Sequence, residues 1–185
     1  MRADAAANRR DLLDAGWRLL AQHGEAVSLR AVAAEAGVGI GTLYRHFPSR
    51  EEFLLGVFGE VAERIGGVAA ECLASWERDP GAAWSRFVHG LAELEYGALA
   101  FQMGNYVYRS GLIDSAGGVR ERVEGELVVV LGLARAAGFL RDGVEVRRFF
   151  AGIAAITRPM PDHVDEMLPG QSGWLVDVFM RGLAP

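Results

Sequence analysis

Six residues between positions 39 and 46 have types that suit one kind of chemistry. Gly39, Gly41, Thr42, Tyr44, Arg45 and His46 would share the outer side of one short helix. They offer hydroxyls, cations and bare backbone, with no carboxylate among them. Such a face can donate to phosphate oxygens and lie close to a charged groove. Other chemistry finds less support. His89 and Glu93 stand one helical turn apart, a spacing metals use, but two ligands do not complete a site and the commoner meaning is an exposed ion pair. Cys72 is the one cysteine, which reads as a small buried hydrophobe rather than a redox sensor. His163 lies among Asp162, Asp165 and Glu166 in what reads as a solvated acidic loop. No glycine-rich phosphate loop, metal set or base-flanked nucleophile is present, so the chain does not read as an enzyme, and no cofactor is expected.

The elements that must position the face are two short helices and a tight turn, Ser28 to Arg50. Ser28 can cap the first helix, and Leu29, Val32, Ala33 and Ala36 repeat at helical spacing. Gly37 ends it, since glycine takes the left-handed cap without steric cost. Ile40, Leu43 and Phe47 mark the second helix, and Pro48 stops it. This is the pattern of a helix-turn-helix whose second helix reads DNA. A preceding helix, near Ala5–His23, carries the stripe Leu12, Leu13, Gly16, Trp17 and Leu20. Ser49-Arg50-Glu51-Glu52 reads as a capping box opening a long helix to about Trp76.

The runs Ala33–Val38 and Gly41–Glu52 resemble the signature of the TetR family of bacterial transcriptional regulators. The turn glycine, the Thr42-Leu43-Tyr44 triplet and the Phe47-Pro48-Ser49-Arg50 exit carry the likeness, which spans roughly Arg9 to Val61 by the helix pattern. The rest resembles the family only in being helical and of suitable length. Family members often have serine at the place of Gly39 and a polar residue at that of Ile40, so this chain departs there. The resemblance implies that Arg30 reaches DNA, that the protein is a homodimer, and that it is more often a repressor. The expected DNA-facing set is Ser28, Arg30, Gly39, Ile40, Gly41, Thr42, Tyr44, Arg45, His46 and Arg50. Within it Tyr44, His46 and Arg50 are expected to hold phosphates; Arg2, Arg9 and Arg10 are further candidates.

Composition agrees with DNA contact at one end. Of 185 residues 51% are hydrophobic, which fits a globular chain, and all 19 basic residues are arginine. Residues 1–50 hold seven Arg and five Asp or Glu, 7 − 5 = +2; residues 51–185 hold 12 and 19, 12 − 19 = −7; together these give −5. A basic head on an acidic body suits a protein that meets DNA with the head. The opening residues lack the apolar core of an export signal, and the apolar runs Leu127–Ala134 and Phe149–Ile156 are far short of the roughly 20 residues of a membrane span. A cytoplasmic protein with no membrane contact is expected.

Downstream, the periodic segments predict helices near 82–100, 119–137, 144–157 and 173–183, with 111–118 a flexible link and 158–170 mainly loop. About nine helices result, in an all-α chain: a three-helix DNA-binding head at 1–50 and a helical effector-binding and dimerisation domain at 51–185. Trp76, Phe87, Tyr96, Phe101, Met103, Tyr106 and Phe150 are the expected pocket lining, suited to a largely apolar ligand. Val146, Phe149, Ile153, Trp174, Val178 and Phe179 are the expected dimer interface. The function expected is a ligand-responsive regulator released from a palindromic operator. The alternative is an architectural DNA-binding protein without effector.

Overall fold

The computed structural model describes the backbone of residues 2–115 and 117–185, and their side chains except at residues 2–5, 113, 120, 162 and 165. Arg2, Asp162 and Asp165, named above, lie outside the described side chains. The described residues form eleven α-helices and no strand, in keeping with the all-α expectation. They are α1 Arg2–His23, α2 Leu29–Glu35, α3 Ile40–His46, α4 Arg50–Trp76, α5 Pro80–Glu93, α6 Tyr96–Arg109, α7 Leu112–Ser115, α8 Gly117–Ala136, α9 Val146–Ile156, α10 Asp162–Met167 and α11 Gln171–Leu183.

Three expectations on boundaries are corrected. The helix expected at 82–100 is two helices. It stops at Glu93, and Glu95 adopts φ 50° before α6 begins. A non-glycine residue in the left-handed region costs about 1–2 kcal/mol. The new direction sets Gly97 directly on α9: an added Cβ would come within 2.3 Å of the Ala154 carbonyl oxygen. The presumed link contains α7 and the presumed loop contains α10, so the count exceeds nine.

Two compact units divide the chain: residues up to Val61 with Leu99–Val119, and Ala62–Ala98 with Arg120–Pro185. The first, here the head unit, is built on α1. Leu12, Leu13, Trp17 and Leu20 are buried, as the stripe predicts. Gly16 matters there because Phe53 of α4 stacks onto its backbone, with Cζ 2.3 Å from where a Cβ would be. Each fully buried Leu or Phe contributes about 1.5–3 kcal/mol.

The second, the body unit, has an aromatic centre. Trp84 and Phe87 of α5 stack at 5.8 Å, Phe87 and Phe149 of α9 lie nearly parallel at 6.3 Å, and Phe179 of α11 joins Phe149 at 6.0 Å. Phe149 and Ile153 are fully buried by this packing. That removes both from the expected dimer interface, since their surface is already used inside the chain. Leu127, Val130, Leu131 and Ala134 of α8 are equally buried.

Candidate nucleic-acid interface

The turn between α2 and α3 is fixed by backbone bonds that the sequence anticipates. Ser28 Oγ accepts from the Ala31 amide at 3.1 Å, capping α2. At the other end Gly37 takes φ +67°, and the Val38 amide donates to the Ala33 carbonyl at 2.9 Å. Gly39 caps α3 in extended conformation with no side chain to offer, while its carbonyl accepts from Thr42 at 2.8 Å. Leu43 and Phe47 are buried, Phe47 meeting Phe53 edge-on at 5.4 Å. Arg9, itself exposed, lies over the Phe47 ring, its Cζ 5.1 Å from the centroid, a cation–π arrangement.

With the inner face of α3 so occupied, its outer face is free. Gly39, Gly41, Tyr44 and Arg45 are exposed, and Ile40, Thr42 and His46 are half-buried. Tyr44 keeps 51% of its surface open. Arg30 and Arg45 are exposed, and the described residues give neither an ion-pair partner. Acidic side chains nearby are turned to other work: Glu35 pairs with Arg18 at 3.3 Å, and Glu52 receives the Ser49 hydroxyl at 3.5 Å while its amide donates to Ser49 Oγ at 3.1 Å.

Arg50 differs from expectation. Its guanidinium donates to the backbone carbonyls of Val27 and, at 2.9 Å, Glu25, and its Cζ lies 6.0 Å from the Tyr106 ring centroid. These bonds clamp the Gly24–Ala26 turn to the start of α4, which gives Arg50 a positioning role. Sequence reasoning also missed how α6 serves this clamp. Gln102 Nε2 donates to the Gln22 carbonyl at 3.2 Å, and Arg109 reaches both Glu25 carboxylate oxygens at 3.2 Å. Partners some 80 residues apart leave no local signal.

The seven expected pocket residues are divided. Phe101, Met103 and Tyr106 belong to the head unit, where Phe101 is exposed and Met103 buried. Trp76, Phe87, Tyr96 and Phe150 belong to the body unit. There Tyr96 meets Phe150 at 4.7 Å, and burial raises the Tyr96 hydroxyl above its ordinary pKa. Trp76 meets Phe139 at 6.2 Å, and Phe87 is part of the aromatic centre. Of the expected interface, Trp174 and Val178 are exposed at 54% and 41%, while Val146 and Phe179 are half-buried. Trp174 also lines an open cleft of about 440 Å³ with Met167, Leu168, Pro169, Gly170 and Gln171.

The remaining chemical candidates take structural places. His89 bonds Asp177 of α11 at 3.0 Å rather than pairing with Glu93. Among the described residues no group of three or more His, Cys, Asp or Glu could hold a metal ion. Burial pushes the Cys72 thiol up to about 11, against a smaller lowering by the Arg86 charge that arrives from α5. No described helix is long and apolar enough to cross a membrane.

Residues 12–57 match the family model of the bacterial regulatory proteins of the TetR family. Over 58 residues the chain is 47% identical to the HTH-type transcriptional repressor KstR of Mycolicibacterium smegmatis, a stretch covering 31% of this chain and 28% of that protein. The chain thus spans less than a third of the length of the curated relatives it matches. Whole-chain likeness is to solved structures. The TetR transcription regulatory protein from Mycobacterium vanbaalenii is 28% identical with a TM-score of 0.69, over 100% of this chain and 99% of that one. The TetR-like regulator LfrR from Mycobacterium smegmatis, solved in complex with proflavine, has a TM-score of 0.70 over 96% of this chain and 95% of its own, at 24% identity, a likeness of fold.

Proposed function

We propose that this chain is a DNA-binding transcriptional regulator of the TetR kind, a reading supported by the family match of residues 12–57 and by the likeness to KstR and to the Mycobacterium vanbaalenii regulator, and that it acts as a repressor that leaves its operator when a small effector binds the body. The observation that carries the reading is the outer face of α3. Its inner residues Leu43 and Phe47 are buried, and the exposed Gly39, Gly41, Tyr44 and Arg45 form a carboxylate-free surface. Such a face can enter a major groove closely, with Arg45, Tyr44 and His46 on phosphates and Ile40 and Arg30 at base edges.

A homodimer would set two copies of α3 into successive major grooves about 34 Å apart on a near-palindromic site. The effector acts through its different affinity for the DNA-fitting and the non-fitting state. LfrR, a protein of like fold, is solved in complex with the small organic molecule proflavine. The protein is read as a cytoplasmic non-enzyme; KstR's description as a transcriptional repressor supports the regulatory part of that reading.

Gel retardation with the DNA upstream of its own coding region tests the reading. A discrete complex that survives excess scrambled competitor is the expected result. Retardation abolished equally by any competitor would favour an architectural DNA-binding protein instead.

A further inference from the structure

On α8 of the body unit, Glu126 points its carboxylate at α4. Its Oε2 and Oε1 lie 2.8 and 3.1 Å from the point that a Cβ on Gly66 would occupy, so glycine at that place makes the room the carboxylate fills. Oε2 is closed off from solvent and meets no hydrogen-bond partner among the described residues. Two arginines of the body unit are engaged elsewhere. Arg122, one turn earlier on α8, reaches Glu63 of α4 at 3.1 Å, and Arg147 of α9 is held by Glu124 at 2.9 Å. Gly66 lies within α4, where the helix's own carbonyls take its amides.

Buried polar atoms are nearly always partnered, and the exceptions point to a ligand, an ion or a working role. A carboxylate oxygen is an acceptor only, so what it lacks is a donor, and the strongest donor is a charged N–H. The surplus negative charge of residues 51–185, −7, favours arrival of a cation. We propose that Glu126 anchors the effector, and that the effector is an organic cation bearing N–H groups, an ammonium or amidinium on an apolar frame, whose N–H donates to Oε2. This rests on the ligand-responsive reading above and narrows its effector from largely apolar to apolar with one cationic donor. Gly66 sets the depth at which the carboxylate is held.

The test uses the full chain and a panel of primary alkyl and phenylalkyl amines and amidines of graded length, each beside the neutral isostere with methyl in place of the charged group. Calorimetry and thermal shift read the binding. At least one cation is expected to bind wild type about 10- to 100-fold more tightly than its isostere, the margin of a charge-assisted hydrogen bond. Glu126→Gln should erase that margin without lowering the ligand-free melting temperature. Gly66→Ala, which fills the space of the carboxylate, should erase it too and carries the test if the glutamine variant folds poorly. The proposal is overturned if no cation outbinds its isostere, or if both variants keep the margin. The parent reading is judged separately, by release of retarded DNA. Neutral compounds that release it equally from wild type and Glu126→Gln would sink the Glu126 anchor alone. Cations that bind through Glu126 yet never release DNA would sink the regulatory reading and leave the anchor standing.

Discussion

Arg50 illustrates how a side chain at a helix start can serve an internal role. Its bonds to the Glu25 and Val27 carbonyls fix the turn that precedes α2. Each hydrogen bond to a charged group contributes about 1.5–3 kcal/mol, and the carbonyls left behind would be re-solvated at this half-buried place. Arg50→Ala should therefore destabilise the protein by about 2–4 kcal/mol in urea unfolding. Unchanged stability with weakened binding to all DNA would restore the phosphate role. Ile40 makes the opposite kind of claim. It can offer only methyls to a base edge, so a thymine is expected beneath it in each half-site. Replacing thymine by uracil at that place should weaken wild-type binding and leave Ile40→Ala unaffected. Insensitivity of wild type to uracil at every operator position would remove the contact. The Ile40 side is legible in the sequence because α3 has a strict period; the Arg50 bonds are not, because their acceptors lie 23 and 25 residues away.

At the scale of elements, glycines separate structural from functional demands. Gly97 is held against the Ala154 carbonyl, where an added Cβ would be 2.3 Å away, so Gly97→Ala forces the α6 start off α9. A loss of about 1–3 kcal/mol is expected, as for other overpacked contacts. Gly41 faces open space within α3. Alanine favours a helix by about 0.5–1 kcal/mol over glycine, so Gly41→Ala should raise the melting temperature. It should nonetheless weaken operator binding, because a methyl would stand where the backbone approaches DNA. A stabilised variant with undiminished affinity would show that α3 needs no close approach there. The helix-turn-helix was readable because caps, turn glycine and apolar period agree over a short stretch. The break at Leu94–Glu95 was not, since the apolar period runs through it and a single left-handed residue leaves no pattern. Phe149 and Ile153 were readable as apolar but not as core, because a stripe reports burial without naming its partner.

For the molecule as a whole, binding a near-palindrome requires two heads held at a set distance. Trp174 and Val178 are exposed members of the expected interface. Trp174→Glu should shift sedimentation from dimer toward monomer and weaken operator binding cooperatively, whereas a wild-type monomer would remove this interface altogether. The central claim is that the outer face of α3 reads a specific duplex. Selection from a random duplex pool, followed by fluorescence anisotropy on the enriched DNA with wild type and Arg45→Ala, tests it most directly. The enriched DNA is expected to be a near-palindrome whose half-sites lie about 34 Å centre to centre. Wild type should bind it at least about 1,000-fold more tightly than scrambled DNA, and Arg45→Ala more weakly on both. No enriched sequence, or an enriched one that Arg45→Ala binds as tightly as wild type, would contradict it.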